Sequence, residues 1–209
     1  MMRVKVCGIT NVSDALMSIQ HGAWALGFNF YEKSPRYVSK KSAQSIIENL
    51  PSFIVGEVVK IGLFIDETYD SISQYIDDLG LDFVQLYAPL KADKAFNERV
   101  ILSLQVASEK DLPDASVLNE YGYLLLDAPQ ASDGLMGGTG RIANWDLATK
   151  LARDYRLFLA GGLTADNVSE AIHRVKPYAI DVVSGVERAH GLKDETRTKH
   201  FFEECRDDN

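Results

Sequence analysis

The sequence predicts a single (β/α)8 barrel that spans residues 1–209. Apolar runs alternate with amphipathic helical patterns eight times, as in parallel strands joined by helices. No linker-like or low-complexity segment divides the chain, and its 209 residues suffice for a barrel with few insertions. A doubly wound open sheet is the second-best interpretation. It predicts a glycine fingerprint after the first strand, whereas the glycines of this chain cluster late.

The first half of the chain contains four strand patterns separated by helical patterns. In the first helix, Val12, Ala15 and Ile19 recur at the spacing that places apolar side chains on one face. Ser39 is of the residue type that caps a helix N-terminus, and it precedes the second helix. The strands predicted here comprise residues 3–7, 25–30, 58–65 and 83–86.

The second half is less regular before its last two strand–helix units. The helices that flank the fifth strand are short, and Pro113 interrupts one of them. A long polar loop follows the sixth strand and runs to Asn144, which is predicted to cap the next helix, as Thr164 caps the one after it. The strands predicted here comprise residues 100–106, 123–126, 157–160 and 179–183, and the last helix comprises residues 194–205.

Composition and charge restrict the classes of partner. The net charge of −8 argues against binding to nucleic acid or to an anionic membrane surface. No apolar run reaches the roughly 18 residues of a membrane span. Met1-Met2-Arg3 leads directly into a strand rather than a signal peptide. We therefore expect a cytoplasmic protein, as a monomer or homodimer, that acts on a small molecule.

The two cysteines, Cys7 and Cys205, form neither a disulfide framework nor a metal-binding spacing. Cys205 shares a helical stripe with Phe201 and Phe202, which indicates a packed thiol in the core. Cys7 instead ends the first predicted strand, where it is either a packed thiol or a reactive one.

Glycines follow the last two predicted strands and indicate a phosphate site. Gly161-Gly162 ends the seventh strand, and Ser184-Gly185 follows the eighth. Glycine lets backbone N–H groups approach an anion, and the helices that begin beyond direct their positive N-termini to the same place. A Gly-Gly pair after a strand is also common in ordinary turns, but barrels often bind phosphate after strands seven and eight.

Three side chains are candidates for chemistry, because strand carboxyl ends converge on one mouth of a barrel. Asp127 follows three leucines, where an unpaired carboxylate is costly to bury. Cys7 provides a thiol that can act as a base or nucleophile, and Arg36 provides a planar group for a carboxylate or phosphate unless it is a solvated surface charge. A thiol facing a carboxyl across a phosphorylated substrate indicates an isomerase that moves protons.

Several motifs together resemble the phosphoribosylanthranilate isomerase family of tryptophan biosynthesis, and the match covers most of the chain. The motifs are Lys5-Val6-Cys7-Gly8-Ile9-Thr10, Gly27-Phe28, Ser34-Pro35-Arg36-Tyr37-Val38-Ser39, Val84-Gln85-Leu86, Leu126-Asp127, Gly137-Gly138-Thr139-Gly140, Leu159-Ala160-Gly161-Gly162-Leu163, Asp181-Val182 and Ser184-Gly185-Val186-Glu187.

The resemblance implies an Amadori rearrangement of N-(5-phosphoribosyl)anthranilate without a metal or organic cofactor. It implies that Asp127 is the general acid at the ring oxygen and that Cys7 is the base at C2. It further implies a set of substrate-binding residues: Arg36 and Asp181 at the anthranilate end, Gln85, and backbone donors at Gly137, Gly138, Gly161, Gly162, Ser184 and Gly185 at the phosphate.

The chain also departs from the family pattern near the predicted mouth. The departures are Asn29, Tyr87, Ala88, Leu102, Ala143, Asn144 and Val183. None of them removes the acid, the base or the arginine. They leave open a barrel that acts on another phosphorylated sugar amine, and a catalytically silent phosphate-binding barrel. A silent binder needs neither Cys7 nor Asp127, so their presence favours the enzyme.

Overall fold

Eight parallel strands close into a TIM barrel in the computed structural model, which describes residues 2–51, 56–129 and 142–206. Each strand pairs with its sequence neighbours, and β1 pairs with β8 to close the ring. The strands are β1 (Val4–Cys7), β2 (Ala25–Asn29), β3 (Val59–Phe64), β4 (Phe83–Leu86), β5 (Val100–Leu104), β6 (Tyr123–Leu126), β7 (Leu157–Leu159) and β8 (Ala179–Val182). The predicted fold class is confirmed.

Helices surround the strands, and most begin at a side-chain cap. Ser39 and Asn144 each accept a hydrogen bond from a backbone N–H of the first turn, and Thr164 forms a capping box with Asn167. The helices are α1 (Val12–His21), α2 (Lys40–Glu48), α3 (Tyr69–Leu79), α4 (Lys94–Asn97), α5 (Ala115–Leu118), α6 (Trp145–Asp154), α7 (Ala165–Val175) and α8 (Glu195–Glu204).

The segment after β8 contains an element that the sequence analysis did not predict. A short 3-10 helix, Ser184–Val186, leads into a small antiparallel hairpin of β9 (Glu187–Ala189) and β10 (Leu192–Lys193). The hairpin hydrogen-bonds back to the start of the chain, since Thr10 Oγ1 donates to the Gly191 carbonyl at 2.5 Å. It therefore lies beside the carboxyl end of β1.

The interior of the barrel changes from apolar to polar along its axis. Inside the ring, buried apolar side chains such as Ala25 of β2 and Phe158 of β7 form a small cluster that aromatic rings cover. Nearer the strand carboxyl ends, the buried side chains of Lys5, Gln85 and Ser103 are linked by hydrogen bonds. The larger apolar core lies between the strands and the helices. No helix in the described ranges is long and apolar enough to span a membrane.

Candidate active site

A pocket at the carboxyl ends of the strands collects residues from six of the barrel strands and the loops that follow them. Its lining includes a thiol, two carboxyl groups, two side-chain amides and a guanidinium. The lining residues are Cys7, Gly8, Asn29, Ser34, Arg36, Leu63, Gln85, Tyr87, Asp127, Asp181 and Val183. Sequence-distant groups therefore meet at the mouth of the barrel, as parallel strands require.

Cys7 is the last residue of β1, and its thiol lies against β2. A Cβ atom at Gly27 would come within 2.6 Å of Cys7 Sγ, so only glycine leaves room for the thiol at this position of β2. Burial raises the pKa of Cys7, the nearby ammonium groups of Lys5 and Lys193 act to lower it, and the Asp181 carboxylate acts to raise it. Desolvation therefore favours the neutral thiol, whereas the two ammonium groups favour the thiolate.

Lys5 is the fully buried cation beneath this thiol. Its Nζ donates to Gln85 Oε1 at 2.6 Å and lies 3.1 Å from Asp181 Oδ1. Burial alone would lower the pKa of Lys5, but the charges of Asp181 and Cys7 more than offset that cost and raise the pKa. Asp181 Oδ1 accepts no aligned hydrogen bond from the described residues, so this buried oxygen retains its capacity to accept one.

Asp127 follows β6 and faces the same pocket with 8% of its surface exposed. Burial raises its pKa to about 6, although the Ala128 N–H donates to Oδ1 at 2.7 Å and acts to lower it. The negative charge of Asp181 also raises the pKa, while Lys5 and the Gln105 amide oppose the rise. The carboxyl group is therefore partly protonated near neutral pH, as a proton donor must be.

Arg36 lies on the loop after β2 and is 6% exposed, so its interpretation as a solvated surface charge is wrong. Its Nε donates to Glu187 Oε1 at 2.9 Å and its Nη2 donates to Glu187 Oε2 at 2.7 Å. Glu187 therefore occupies one edge of the guanidinium. The edge formed by Nη1 and the second hydrogen of Nη2 is not used by Glu187, and the arginine lines the pocket.

A second cavity continues from the first on the side of β7 and β8. Both cavities are lined by Asp127, Asp181 and Val183, so the carboxyl groups lie between them. Gly161 and Gly162 line the second cavity with φ angles of 83° and 61°, a left-handed backbone that suits glycine. The N-terminus of α7 begins at Ala165, directly beyond these glycines. This cavity has the features of an anion site.

The structure brings most of the predicted site residues together. Cys7, Arg36, Gln85, Asp127 and Asp181 line the first cavity. The second cavity is lined by Gly161, Gly162 and Ser184, and an adjoining outer cavity by Gly162, Ser184 and Gly185. Gly137 and Gly138 lie outside the described residues.

Three buried charged residues in or beside the site were not predicted as site residues: Lys5, Glu187 and Lys193. Lys5 could have been recognised from the sequence, because a charged residue in an otherwise buried strand requires a buried partner. Glu187 appeared only as the end of a motif assigned to phosphate, and Lys193 stood in a segment with no predicted strand. Glu187 pairs with Arg36, 151 positions away, and Lys193 binds the Cys7 carbonyl, 186 positions away, so no local pattern identifies these contacts.

Comparison with known proteins identifies the relatives of this chain. The family model described as "PRAI: N-(5'phosphoribosyl)anthranilate (PRA) isomerase" matches residues 4–204. The chain is 46% identical over 204 residues to the N-(5'-phosphoribosyl)anthranilate isomerase of Pelobacter propionicus, with 97% of this chain and 94% of the relative covered. It is 42% identical over 214 residues to that of Geotalea daltonii, with 99% and 98% covered.

Solved structures give the same relationship. A crystal structure of phosphoribosyl anthranilate isomerase from Thermotoga maritima superposes with a TM-score of 0.82 at 37% identity, with 98% of each chain covered. A further structure, at 36% identity and a TM-score of 0.79 over 98% of each chain, is a phosphoribosyl anthranilate isomerase in complex with reduced 1-(o-carboxyphenylamino)-1-deoxyribulose 5-phosphate.

Proposed function

The chain belongs to the N-(5'-phosphoribosyl)anthranilate isomerase family, and we propose on that premise that it catalyses the Amadori rearrangement of N-(5'-phosphoribosyl)anthranilate. The product is 1-(2-carboxyphenylamino)-1-deoxyribulose 5-phosphate, an intermediate of tryptophan biosynthesis. The observation that carries the proposal is the meeting of Cys7 and Asp127 in one pocket, with a glycine-lined cavity on one side and a buried arginine on the other.

Asp127 is the proposed general acid. Its proton is transferred to the ring oxygen of the ribose, the bond from C1 to that oxygen breaks, and the nitrogen lone pair forms a C1=N iminium. A pKa of about 6 supports this role, because the carboxyl group is then a stronger proton donor than water and still protonated in part near neutral pH.

Cys7 is the proposed general base. The thiolate removes the proton from C2, and the electron pair of that bond forms the C1=C2 bond of an enolamine. The enolamine then loses the hydroxyl proton at C2 and gains one at C1, which gives the ketone, so atoms and electrons balance without an external oxidant. Well-placed acid and base groups each contribute roughly 10² to 10⁴ in rate.

The two ends of the substrate match the two cavities. The edge of Arg36 that Glu187 does not use supports binding of the anthranilate carboxylate. Asp181 Oδ1 forms an ion pair with Lys5 and can still accept a hydrogen bond from the substrate amine, and Gln85 holds Lys5 beneath them. We assign the phosphate to backbone donors at Gly161, Gly162, Ser184 and Gly185, and to Gly137 and Gly138 by the family motif.

The setting of the reaction follows from the family rather than from the geometry. We propose a cytoplasmic enzyme that takes a small phosphorylated substrate and is a monomer or homodimer. One related Thermotoga maritima structure is of monomers derived from a dimeric isomerase. Sedimentation velocity of the purified chain distinguishes the two assemblies.

Substitution of the acid and the base tests the mechanism. We expect Cys7→Ser and Asp127→Asn each to lower kcat by at least roughly 10²-fold. Affinity for the reduced product analogue should change little, because neither residue is proposed to hold the substrate. Turnover is measured by the loss of phosphoribosylanthranilate fluorescence, and affinity by calorimetry. Near-normal turnover in either variant rejects these roles.

The pH dependence provides a second test. Catalysis needs Asp127 protonated and Cys7 deprotonated, but Asp127 has a pKa of about 6 and burial raises the pKa of Cys7 above its ordinary value. The competent state is then a constant minor fraction between the two pKa values, so kcat/KM should fall below pH 6 and again above the pKa of the thiol.

The substrate phosphate also titrates near pH 6, so the lower pKa needs an independent measurement. NMR titration of isotope-labelled aspartate in the ligand-free protein provides it. The signal that disappears in Asp127→Asn should titrate at about 6. A value near 4 for this signal contradicts the assignment of Asp127 as a proton donor near neutral pH.

A further inference from the structure

The hairpin of β9 and β10 takes no part in the proton transfers proposed above. It nevertheless buries two charged side chains next to the pocket. The Glu187 side chain is 3% exposed and the Lys193 side chain is 0% exposed. Lys193 Nζ donates to Glu187 Oε1 at 3.0 Å, and the Gly191 N–H donates to the same oxygen at 3.2 Å. Burying charges is costly, so a hairpin with no other role would not be expected to contain them.

Glu187 fixes the orientation of Arg36. It accepts from both Nε and Nη2, the paired geometry that holds a guanidinium in one plane and at one rotation. The stem of the arginine crosses Gly8, where a Cβ atom would lie 2.8 Å from Arg36 Cδ. The remaining edge of the guanidinium therefore has a fixed direction before any ligand arrives.

Lys193 connects this ion pair to the strand that carries the thiol. Its Nζ donates to the Cys7 carbonyl at 2.6 Å, and its backbone N–H donates to Asp14 Oδ2 at 2.8 Å. The ammonium thus joins the end of β1, the hairpin and the Arg36–Glu187 pair. The three charged groups that touch one another are the Arg36 guanidinium, the Glu187 carboxylate and the Lys193 ammonium, two cations and one anion with a sum of +1. Burial lowers the pKa of Lys193, and Glu187 opposes that shift.

We propose that Glu187 and Lys193 are positioning residues for substrate recognition: Glu187 aligns the free edge of Arg36 with the substrate carboxylate, and Lys193 supplies the charge that keeps this cluster cationic. The proposal rests on the function proposed above. A single excess positive charge matches a single carboxylate, and an arginine that is already immobilised loses less conformational entropy when it binds.

The test compares two ligands that differ by one group. The first is reduced 1-(o-carboxyphenylamino)-1-deoxyribulose 5-phosphate, and the second is its phenylamino counterpart without the carboxyl group. We expect Glu187→Gln to weaken binding of the first ligand by roughly 10- to 100-fold, as for a lost hydrogen bond to a charged group, and to leave binding of the second within about 3-fold. KM should rise with a smaller change in kcat.

A double-mutant cycle shows whether Glu187 acts through Arg36. In an Arg36→Met background, Glu187→Gln should have no further effect on affinity for the carboxylate ligand. Glu187→Asp, which retains the charge, should recover part of the wild-type preference. Asp146→Asn is the matched control, because Asp146 accepts from Arg174 Nη2 at 2.8 Å between exposed side chains and should leave both affinities unchanged.

Lys193→Met tests the contribution of the Lys193 charge. We expect it to lower affinity for the carboxylate ligand and to leave affinity for the second ligand unchanged. This variant also tests the proposal if Glu187→Gln does not fold. Equal losses for both ligands, additive effects in the cycle, or unchanged carboxylate affinity in Lys193→Met would overturn the proposal. If the wild-type protein binds both ligands but shows no turnover, the proposed function fails while this inference is still decided by the affinities.

Discussion

Asp127, the proposed general acid, shows at the residue scale how a buried carboxyl group costs stability. In the folded protein its pKa is about 6, whereas an unfolded aspartate titrates near 3.9. Between these values the folded state holds a proton that the unfolded state has lost, so the free energy of unfolding falls as pH rises through this window. Above about pH 6, the buried charge of Asp127 lowers the free energy of unfolding by its full amount, on the order of 3 kcal/mol.

Removing this charge should stabilise the protein. We expect Asp127→Asn to raise the free energy of unfolding at pH 7 by about 2–3 kcal/mol, because the amide needs no deprotonation and Oδ1 can still accept from Ala128. Below about pH 4 the gain should vanish, since both states of the wild type then carry the proton. Urea unfolding at the two pH values checks this. An equal gain at both values would locate the effect in packing rather than in ionisation.

The residue scale also marks the limit of the sequence analysis. That Cys7, Asp127 and Arg36 lie in one pocket could be predicted, because residues at strand ends converge on the mouth whatever their sequence separation. The pairing of Arg36 with Glu187 could not be predicted, because 151 positions separate them and the contact depends on a hairpin with no strong strand pattern. Periodicity predicts which elements form, but side-chain pairing across loops requires the assembled barrel.

At the scale of the element, β1 has two different faces. Val4 and Val6 pack in the main core between strands and helices, while Lys5 and Cys7 point to the barrel interior, as the two-residue period of a strand requires. One four-residue strand therefore provides both packing and chemistry. Because β1 is buried on both faces, the charge of Lys5 requires a buried partner, which is Asp181.

Lys5→Met tests the inner face of this element. The pKa of the Cys7 thiol should rise, because the ammonium that favours the thiolate is gone. Ultraviolet absorbance of the thiolate against pH, with Cys7→Ser as the blank, measures the shift. We also expect a loss of about 3–5 kcal/mol in unfolding free energy, because Asp181 is left buried without its cation.

A compensating variant separates the two effects of Lys5→Met. Addition of Asp181→Asn should restore much of the stability, since it removes the uncompensated charge, but it cannot restore the ammonium beside the thiol. An unshifted thiol titration in a folded Lys5→Met protein would show that Lys5 has no electrostatic role at Cys7.

The elements around β5 were the least predictable. The structure has only four-residue helices there, α4 and α5, with a 3-10 turn at Glu109–Asp111 between β5 and α5. Short helices have few apolar repeats, so they leave weak periodic signals. The eight barrel strands, by contrast, lie within the predicted runs and are at most two residues shorter, because the residues at their ends turn into the loops.

At the scale of the whole molecule, stability depends on joining the two ends of the chain. β1 pairs with β8, and α8 packs beside α1 with Phe201 fully buried. We expect Phe201→Ala to lower the free energy of unfolding by about 3–5 kcal/mol through the cavity it leaves. Activity should be lost only as the protein unfolds, so thermal unfolding and activity loss should coincide. Loss of activity well below the unfolding temperature would place Phe201 among residues that act on the site.

The bond between Lys193 and the Cys7 carbonyl has a consequence for protein synthesis. The lysine follows the thiol by 186 positions, so the ribosome makes it much later. A nascent chain that does not yet contain β10 therefore has the Cys7 residue without the ammonium that binds its carbonyl. The end of β1 therefore acquires its full set of hydrogen bonds only after β10 has been made and has folded against it.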